Sequence, residues 1–155
     1  MIFVTVGSTQ YRFERLMEML DALPGEDLVV QCGPAKPPPH VSRAVEFLSF
    51  QEMLEHFDAA DSVVSHAGVG TIIGAIRAGH TPFVVPRLRC CRETVDDHQM
   101  ELTEALAADG KVIPVWDAGD LADLVRGAPP RGPAVAPAEG PLHAALRDSL
   151  LVGRR

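Results

Sequence analysis

A chain of 155 residues, 46% of them apolar and 23% charged, can close a single domain around its own core, burying roughly 70% of the surface its unfolded form exposes. Fourteen basic residues against 21 acidic ones leave a formal net charge of −7. That balance argues against a nucleic-acid partner, because a phosphate backbone selects basic surfaces, although backbone amides at a helix N-terminus hold a single nucleotide whatever the net charge. No apolar run approaches the roughly 20 residues of a membrane span, and residues 1–7 read as a first strand rather than a leader. The three cysteines, Cys32, Cys90 and Cys91, make neither a disulfide framework nor a Cys-x-x-Cys pair, so reduced thiols of a cytosolic protein are expected.

The first element in chain order is Ile2-Phe3-Val4-Thr5-Val6, a β-branched run that predicts a buried strand stopped by Gly7-Ser8-Thr9. A helix is expected from about Phe13, with Leu16, Met17 and Leu20 at helical spacing and Pro24-Gly25 at its end. Residues 28–31 read as a second strand, 34–39 as a proline-dense loop, 44–48 as a third strand, and 50–57 as a short helix turning Met53, Leu54 and Phe57 inward. A fourth strand over 62–65 leads into a turn over 66–70 and a helix over 71–78, with Gly79 just past the helix end. Residues 82–85 predict a fifth strand and 87–95 an irregular loop. Asp96 or Asp97 then caps a helix running to about Ala108, followed by a sixth strand over 112–115 and a short helix over 120–125.

Residues 1–126 thus form one domain in which strands and helices alternate, the signature of an α/β fold with a single Rossmann-like, doubly wound parallel sheet. Right-handed crossovers place the turns at Gly7-Ser8-Thr9, at 66–71 and at 87–99 along one sheet edge, where such folds bind ligands. Residues 127–141, rich in Pro, Gly and Ala, read as a linker. Leu142, Leu146 and Leu150 then recur every fourth residue, so an amphipathic helix over 142–152 is expected, docked on this domain or on another chain.

The strongest chemical signal is Ser65-His66-Ala67-Gly68-Val69-Gly70-Thr71 between a strand and a helix. Gly68 and Gly70 permit close backbone approach, the helix N-terminus supplies unpaired amides, and Thr71 and His66 add donors. The pattern reads equally as a pyrophosphate seat or as a tight packing turn. In Asp96-Asp97-His98-Gln99 the aspartates read as caps, whereas His98 and Gln99 suit a sugar's hydroxyls. None of the six histidines is paired at ligand spacing with Cys or another His, so no metal site is expected. Gly7-Ser8-Thr9 is not a dinucleotide-binding glycine turn, and Ser8 lies in no nucleophile elbow. Arg87, Arg89 and Arg92 read as a solvated basic loop, or as partners for a uronate carboxylate.

Taken together, Val4-Thr5-Val6-Gly7-Ser8-Thr9, Ser65-His66-Ala67-Gly68-Val69-Gly70-Thr71-Ile72-Ile73, Val85-Pro86-Arg87 and Asp97-His98-Gln99 resemble the C-terminal domain of family 28 glycosyltransferases over about residues 1–126. More narrowly, they look like the stand-alone donor-binding subunits of two-component transferases. The resemblance implies the C-terminal half of a GT-B fold. It implies that Gly7, Ser8 and Thr9 line the donor crevice, that His66, Gly68, Gly70 and Thr71 hold the pyrophosphate, that Phe50 and Met53 border the base, and that His98 and Gln99 contact the sugar. The expected reaction is inverting transfer from a UDP-sugar, which is a substrate, with no cofactor. The expected partners are a membrane-anchored acceptor-binding subunit, carrying the general base, and the lipid-linked acceptor it presents. The chain would then be cytoplasmic and peripheral at the inner face of the membrane through that partner. Many members place an acidic, ribose-binding residue where this chain has Gly74, a departure that favours the bacterial exopolysaccharide branch. A non-catalytic module that senses a UDP-sugar, or a piece of a GT-B-like nucleotide-sugar epimerase, stays open beside the transferase reading.

Overall fold

A computed structural model describes residues 1–135; the expected helix over 142–152 and the end of the expected linker lie outside the described residues. The elements in chain order are β1 (Ile2–Thr5), α1 (Glu14–Met19, continued by a 3-10 turn Leu20–Ala22), β2 (Leu28–Gln31), β3 (Arg43–Val45), α2 (Phe50–Ala59), β4 (Ser62–His66), α3 (Val69–Arg77), β5 (Phe83–Val85), α4 (His98–Ala108), β6 (Ile113–Pro114) and α5 (Ala118–Arg126). The strands form one sheet in the order β3-β2-β1-β4-β5-β6. Every pairing is parallel, with Val4 opposite both Val30 and Val64. This is the doubly wound arrangement expected from the alternation of elements.

Strand period sorts the apolar residues onto two faces. Ile2 and Val4, Leu28 and Val30, Val64, Phe83 and Val85 pack with α1 and α5. Phe3, Val29 and Val63 point the other way, against Phe57 of α2 and Ala75 of α3, while Val84 meets Ile72 and Val112. Both faces are covered, which is why these strands read as continuous apolar runs.

Local signals set most helix ends. Ser49 and Glu52 make a reciprocal capping box at the start of α2, and the Ser49 hydrogen bonds hold the Glu52 carboxyl below its usual range. At the end of α3, Gly79 has φ 90°. Its N–H bonds to Ile76 O at 2.9 Å and that of His80 to Ala75 O at 3.0 Å, the Schellman closure expected of Gly79. The Gly132 carbonyl occupies the place a Cβ at Gly79 would take. Residues 128–135 carry no regular structure and lie against this helix end, with Gly132 N–H on Gly79 O at 2.8 Å and Val135 N–H on Arg77 O at 2.8 Å.

Several boundaries differ from the sequence expectation, among them the start of α3, at Val69 rather than 71. β3 is Arg43–Val45 rather than 44–48 because it is an exposed edge strand, paired only through Val29 to Gln31. β6 is short, Ile113–Pro114, and its bonds to β5 come from the flanking Ile113 and Val115 N–H groups, on Pro82 O and Val84 O at 2.9 Å each, so Pro114 sits where an edge strand tolerates it. The last helix starts at Ala118 because Asp117 caps it, its side chain accepting from Gly119 N–H at 2.9 Å.

Candidate functional site

The strand order reverses between β1 and β4, so the crevice of this sheet opens beyond their C-terminal ends. Gly7 leaves β1 there with φ 79°, a region closed to most side chains. Gln31, buried at the end of β2, fixes that turn. Its Nε2 donates to Gly7 O at 2.8 Å, and its Oε1 accepts from Gly7 N–H at 3.2 Å and from Thr5 Oγ1 at 2.6 Å. Sequence reasoning missed Gln31, although a lone polar residue closing the run Leu28-Val29-Val30 was a signal. Of the neighbours, Ser8 is exposed, and Thr9 Oγ1 accepts from Tyr11 N–H at 3.3 Å.

The imidazole of His66, at the end of β4, fills the gap between the β1 and β4 turns. A Cβ at Gly68 would fall on Nε2 of that ring, and one at Gly7 would lie 2.6 Å from it. Gly68 is therefore small in order to seat the ring, a packing partner the sequence reading did not name. His66 is 9% exposed, and its Nδ1 has no hydrogen-bond partner. Burial, and after it the Arg87 guanidinium, lower its pKa to about 4. The side chain is thus a buried, neutral imidazole at the switch point.

Gly68 is also the N-cap of α3 and gives it no side-chain cap, so the first-turn amides keep the partial positive charge of an open helix N-terminus. Nothing lies within 4 Å of a Cβ built on Gly70: this glycine faces open space. Thr71, one residue on, is buried. From Gly70 a cleft of about 450 Å³ runs between α2 and α3, lined by Phe50, Leu54 and Asp58 on one side and Gly70, Ile73, Gly74 and Arg77 on the other. Phe50 stands at its mouth, 71% exposed. Met53 turns away and packs with Leu48 and Leu54 on the α2–α3 core, so of the two expected base neighbours only Phe50 reaches the cleft. At Gly74 a Cβ would come within 2.8 Å of Phe57 Cε2, which accounts for the missing acidic residue by close helix packing.

The loop from β5 to α4 closes the third side. Arg87 is not solvated, against the sequence expectation: it is 1% exposed. Its Nη2 donates to Val6 O at 2.8 Å, its Nη1 to Tyr11 O at 3.1 Å, to Arg12 O at 3.3 Å and to Glu93 O at 3.2 Å, and the guanidinium lies 4.4 Å from the Phe13 ring centroid. Burial lowers its pKa to about 10, which leaves it charged at neutral pH. Below it, Glu93 pairs with Arg15 at 2.9 Å. Arg87 thereby rivets the β5 loop to the β1 loop, and its partners 75 to 81 residues upstream hid this role from local inspection. Arg87 N–H also donates to Gln99 Oε1 at 3.1 Å, fixing the start of α4. Asp97 is the N-cap residue without capping α4 through its side chain. Its carboxylate instead takes the Arg89 N–H at 3.2 Å, while Asp96 accepts from His98 N–H at 3.2 Å. The His98 ring is exposed beside Asp96 and Glu101.

The three loops expected to share a crevice are therefore joined, Gly7 to His66 by contact and the β1 loop to Gln99 through Arg87. Among the described residues no group of His, Cys, Asp or Glu is arranged to hold a metal ion, and no helix is long and apolar enough to cross a membrane.

A doubly wound parallel domain with an uncapped, glycine-bearing helix N-terminus at its switch point has the architecture on which α/β proteins commonly seat nucleotides. The glycosyltransferase family 28 C-terminal domain matches residues 1–113, and the chain belongs to that family. It is 44% identical over 69 residues to the UDP-N-acetylglucosamine transferase subunit ALG13 of Cryptococcus neoformans var. neoformans serotype D, in two strains, an alignment covering 43% of this chain and 32% of that protein. Its fold resembles the glycotransferase of kitacinnamycin (TM-score 0.57, 22% identity, 97% of this chain and 39% of the other) and the glycosyltransferase SnogD from Streptomyces nogalater (TM-score 0.54, 21% identity, 99% and 39%). The chain thus spans about a third of the curated relatives it matches, and the domain is of glycosyltransferase type.

Proposed function

We propose that this domain binds the UDP-sugar donor of an inverting glycosyltransferase and works with a membrane-anchored partner that supplies the acceptor site and the general base. The observation that carries the reading is the open N-terminus of α3. Its cap residue offers no side-chain oxygen, Gly70 faces empty space, and the Nε2 edge of the His66 ring lies against Gly68. A pyrophosphate would accept from the first-turn amides and Thr71, with the base over Phe50 at the cleft mouth and the sugar hydroxyls toward His98 and Gln99. As the glycosidic bond breaks, negative charge grows on the departing diphosphate, and preorganised amides stabilise that charge more than they stabilise the ground state. The likeness to ALG13, a UDP-N-acetylglucosamine transferase subunit, supports a partner and an N-acetylglucosamine-type donor. Association with the inner membrane face, a lipid-linked acceptor and a role in exopolysaccharide assembly belong to the same proposal.

The test is Gly70→Ala. The added methyl meets nothing in the fold, and alanine is favoured over glycine in a helix by up to about 1 kcal/mol, so the melting temperature should hold or rise. Calorimetric UDP affinity should fall at least about tenfold, the loss of roughly 1.4 kcal/mol of amide contact. Unchanged UDP affinity in a stably folded variant would refute the diphosphate seat.

A further inference from the structure

Cys90 and Cys91 sit in the β5–α4 loop, exposed and free. Their sulfurs lie 3.8 Å apart on the 3-10 turn Arg89–Cys91. That turn is held by Cys91 N–H to Leu88 O at 3.2 Å, Arg92 N–H to Arg89 O at 3.0 Å and Glu93 N–H to Leu88 O at 3.2 Å. It exits through Arg92 at φ 58°, a left-handed conformation costly for a residue with a Cβ. The Arg15–Glu93 pair and the Glu93 carboxylate's bond from Leu88 N–H, at 2.9 Å, anchor it from below. Two thiols are thus carried side by side, open to solvent, on a held platform. Cys32, by contrast, is buried, and burial raises its thiol pKa; the Cys91 thiol is raised as well, chiefly by its hydrogen bond with Cys90, so Cys91 attacks less readily.

We propose that Cys90 and Cys91 form a thiol–disulfide exchange site for low-molecular-weight disulfides, and that its oxidation loosens the donor crevice; the second half rests on the donor-binding reading above. One cysteine thiolate attacks a sulfur of the small disulfide, forming a mixed disulfide and expelling one small thiol. The neighbouring thiolate then attacks the protein sulfur of that bond and expels the second small thiol. Two protein thiols are oxidised, one small disulfide is reduced to two thiols, and the two protein protons leave on them. Adjacency makes the second step intramolecular, which favours it over a lasting mixed disulfide.

The geometry supplies the consequence. Closure draws the sulfurs from 3.8 Å to about 2.05 Å. Neighbouring Cα atoms lie only about 3.8 Å apart across a trans peptide, short of the usual span of about 4.4–6.8 Å. The ring is strained and so readily reduced, and the turn that carries it must yield. That turn holds the entry to α4, since Arg89 N–H donates to Asp97 at 3.2 Å, and His98 and Gln99 follow directly. An exposed, strained, reversible pair is the kind of disulfide that persists only transiently in a reducing compartment and senses its poise.

The experiment treats the reduced full chain with oxidised glutathione, then measures intact mass, alkylation by residue, and UDP affinity by calorimetry. The expected product has lost two hydrogens, carries no glutathionyl group, protects Cys90 and Cys91 from alkylation while Cys32 stays reduced, and reverts with reduced glutathione. Cys90→Ser or Cys91→Ser should instead retain one glutathionyl group. UDP affinity of the oxidised form should fall at least about fivefold, the low end of site-to-site coupling, and the double serine variant should not respond to oxidant. A lasting glutathionyl adduct on the unsubstituted chain, or a disulfide-linked dimer on a non-reducing gel, overturns the exchange site. An intrachain disulfide with unchanged UDP affinity overturns the gating. Failure of UDP to bind either form overturns the donor reading and the gating together, while the mass result stands on its own.

Discussion

The seat of His66 is the most directly testable feature of the crevice. Gly68 has φ −84° and ψ 125°, a backbone any residue adopts, so alanine there meets no conformational barrier. What it meets is the imidazole, with Cε1 2.7 Å and Cδ2 3.0 Å from the new Cβ and Nε2 closer still. The ring cannot retreat toward β1, because Gly7 bounds it on that side with 2.6 Å between a Cβ there and Nε2. Overpacking of this kind costs about 1–3 kcal/mol, or roughly 3–10 °C in melting temperature for a domain of this size. Alanine at an N-cap carries a small penalty of its own, and a double-mutant cycle removes it: Gly68→Ala is measured in the unsubstituted chain and in His66→Ala. If the glycine exists for the ring, the cycle returns a coupling of about 1–3 kcal/mol by urea denaturation, and Gly68→Ala becomes nearly free once the imidazole is gone. Equal costs in both backgrounds would refute the steric reasoning and return Gly68 to the role of ligand approach.

Two further outcomes follow from the same network. The pKa of His66 lies near 4 in the fold and near 6.5 unfolded, so between those values the unfolded chain binds the extra proton. Stability is then full above about pH 6.5 and falls with acidification by up to about 1.4 kcal/mol per unit until about pH 4. Comparing urea midpoints over that window with those of His66→Gln should show the slope flattened; an unchanged slope would assign it elsewhere. Arg87→Ala should cost at least about 3 kcal/mol by leaving buried carbonyls unpaired. Arg87→Lys should recover only part of that, since three ammonium donors cannot reproduce the planar fork. Both should speed amide exchange in residues 7–13 and 88–97, and values within about 0.5 kcal/mol of the unsubstituted chain would deny Arg87 its riveting role.

How far this site was legible in the sequence depends on how local each cause is. The β1, β2 and β4 strands and the glycine turn after β4 were readable because apolar runs and Gly/helix junctions carry their signals within a few residues. The turn at Gly79 was readable for the same reason. The edges were less so: β3 is exposed, and β6 is only two residues long. The arginine rivet was unreadable and the Gln31 clamp only hinted at by a lone polar residue closing an apolar strand, because Arg87 acts on Val6, 81 residues away, and Gln31 on Gly7, 24 residues away. Neither partner is a side chain whose identity would announce the contact. The two glycines of the turn differ in a way the sequence did not show: Gly68 lies against the His66 ring, whereas Gly70 faces open space.

Gly74 raises the remaining question of why the expected acidic residue is absent. A Cβ at 74 would stand 2.8 Å from Phe57 Cε2 and 3.4 Å from Cδ2. Phe57 is itself 1% exposed and set edge-on to Phe3 at 5.6 Å between centroids. The ring has little room to give, so α3 approaches α2 at the expense of any side chain at this position. Gly74→Ala therefore balances an overpacking cost of about 1–3 kcal/mol against a helix-propensity gain of up to about 1 kcal/mol, and should be neutral to destabilising. Removing the obstruction reverses the sign: in a Phe57→Leu background the same Gly74→Ala change should stabilise by about 0.5–1 kcal/mol, read as the difference between Phe57→Leu alone and Phe57→Leu combined with Gly74→Ala. Gly74→Glu with Phe57→Leu then asks the functional question, since a carboxylate on the cleft wall beside Gly70 and Ile73 should tighten UDP binding if the ribose sits there. A stabilising Gly74→Ala in the unsubstituted chain would show that close packing does not explain the glycine.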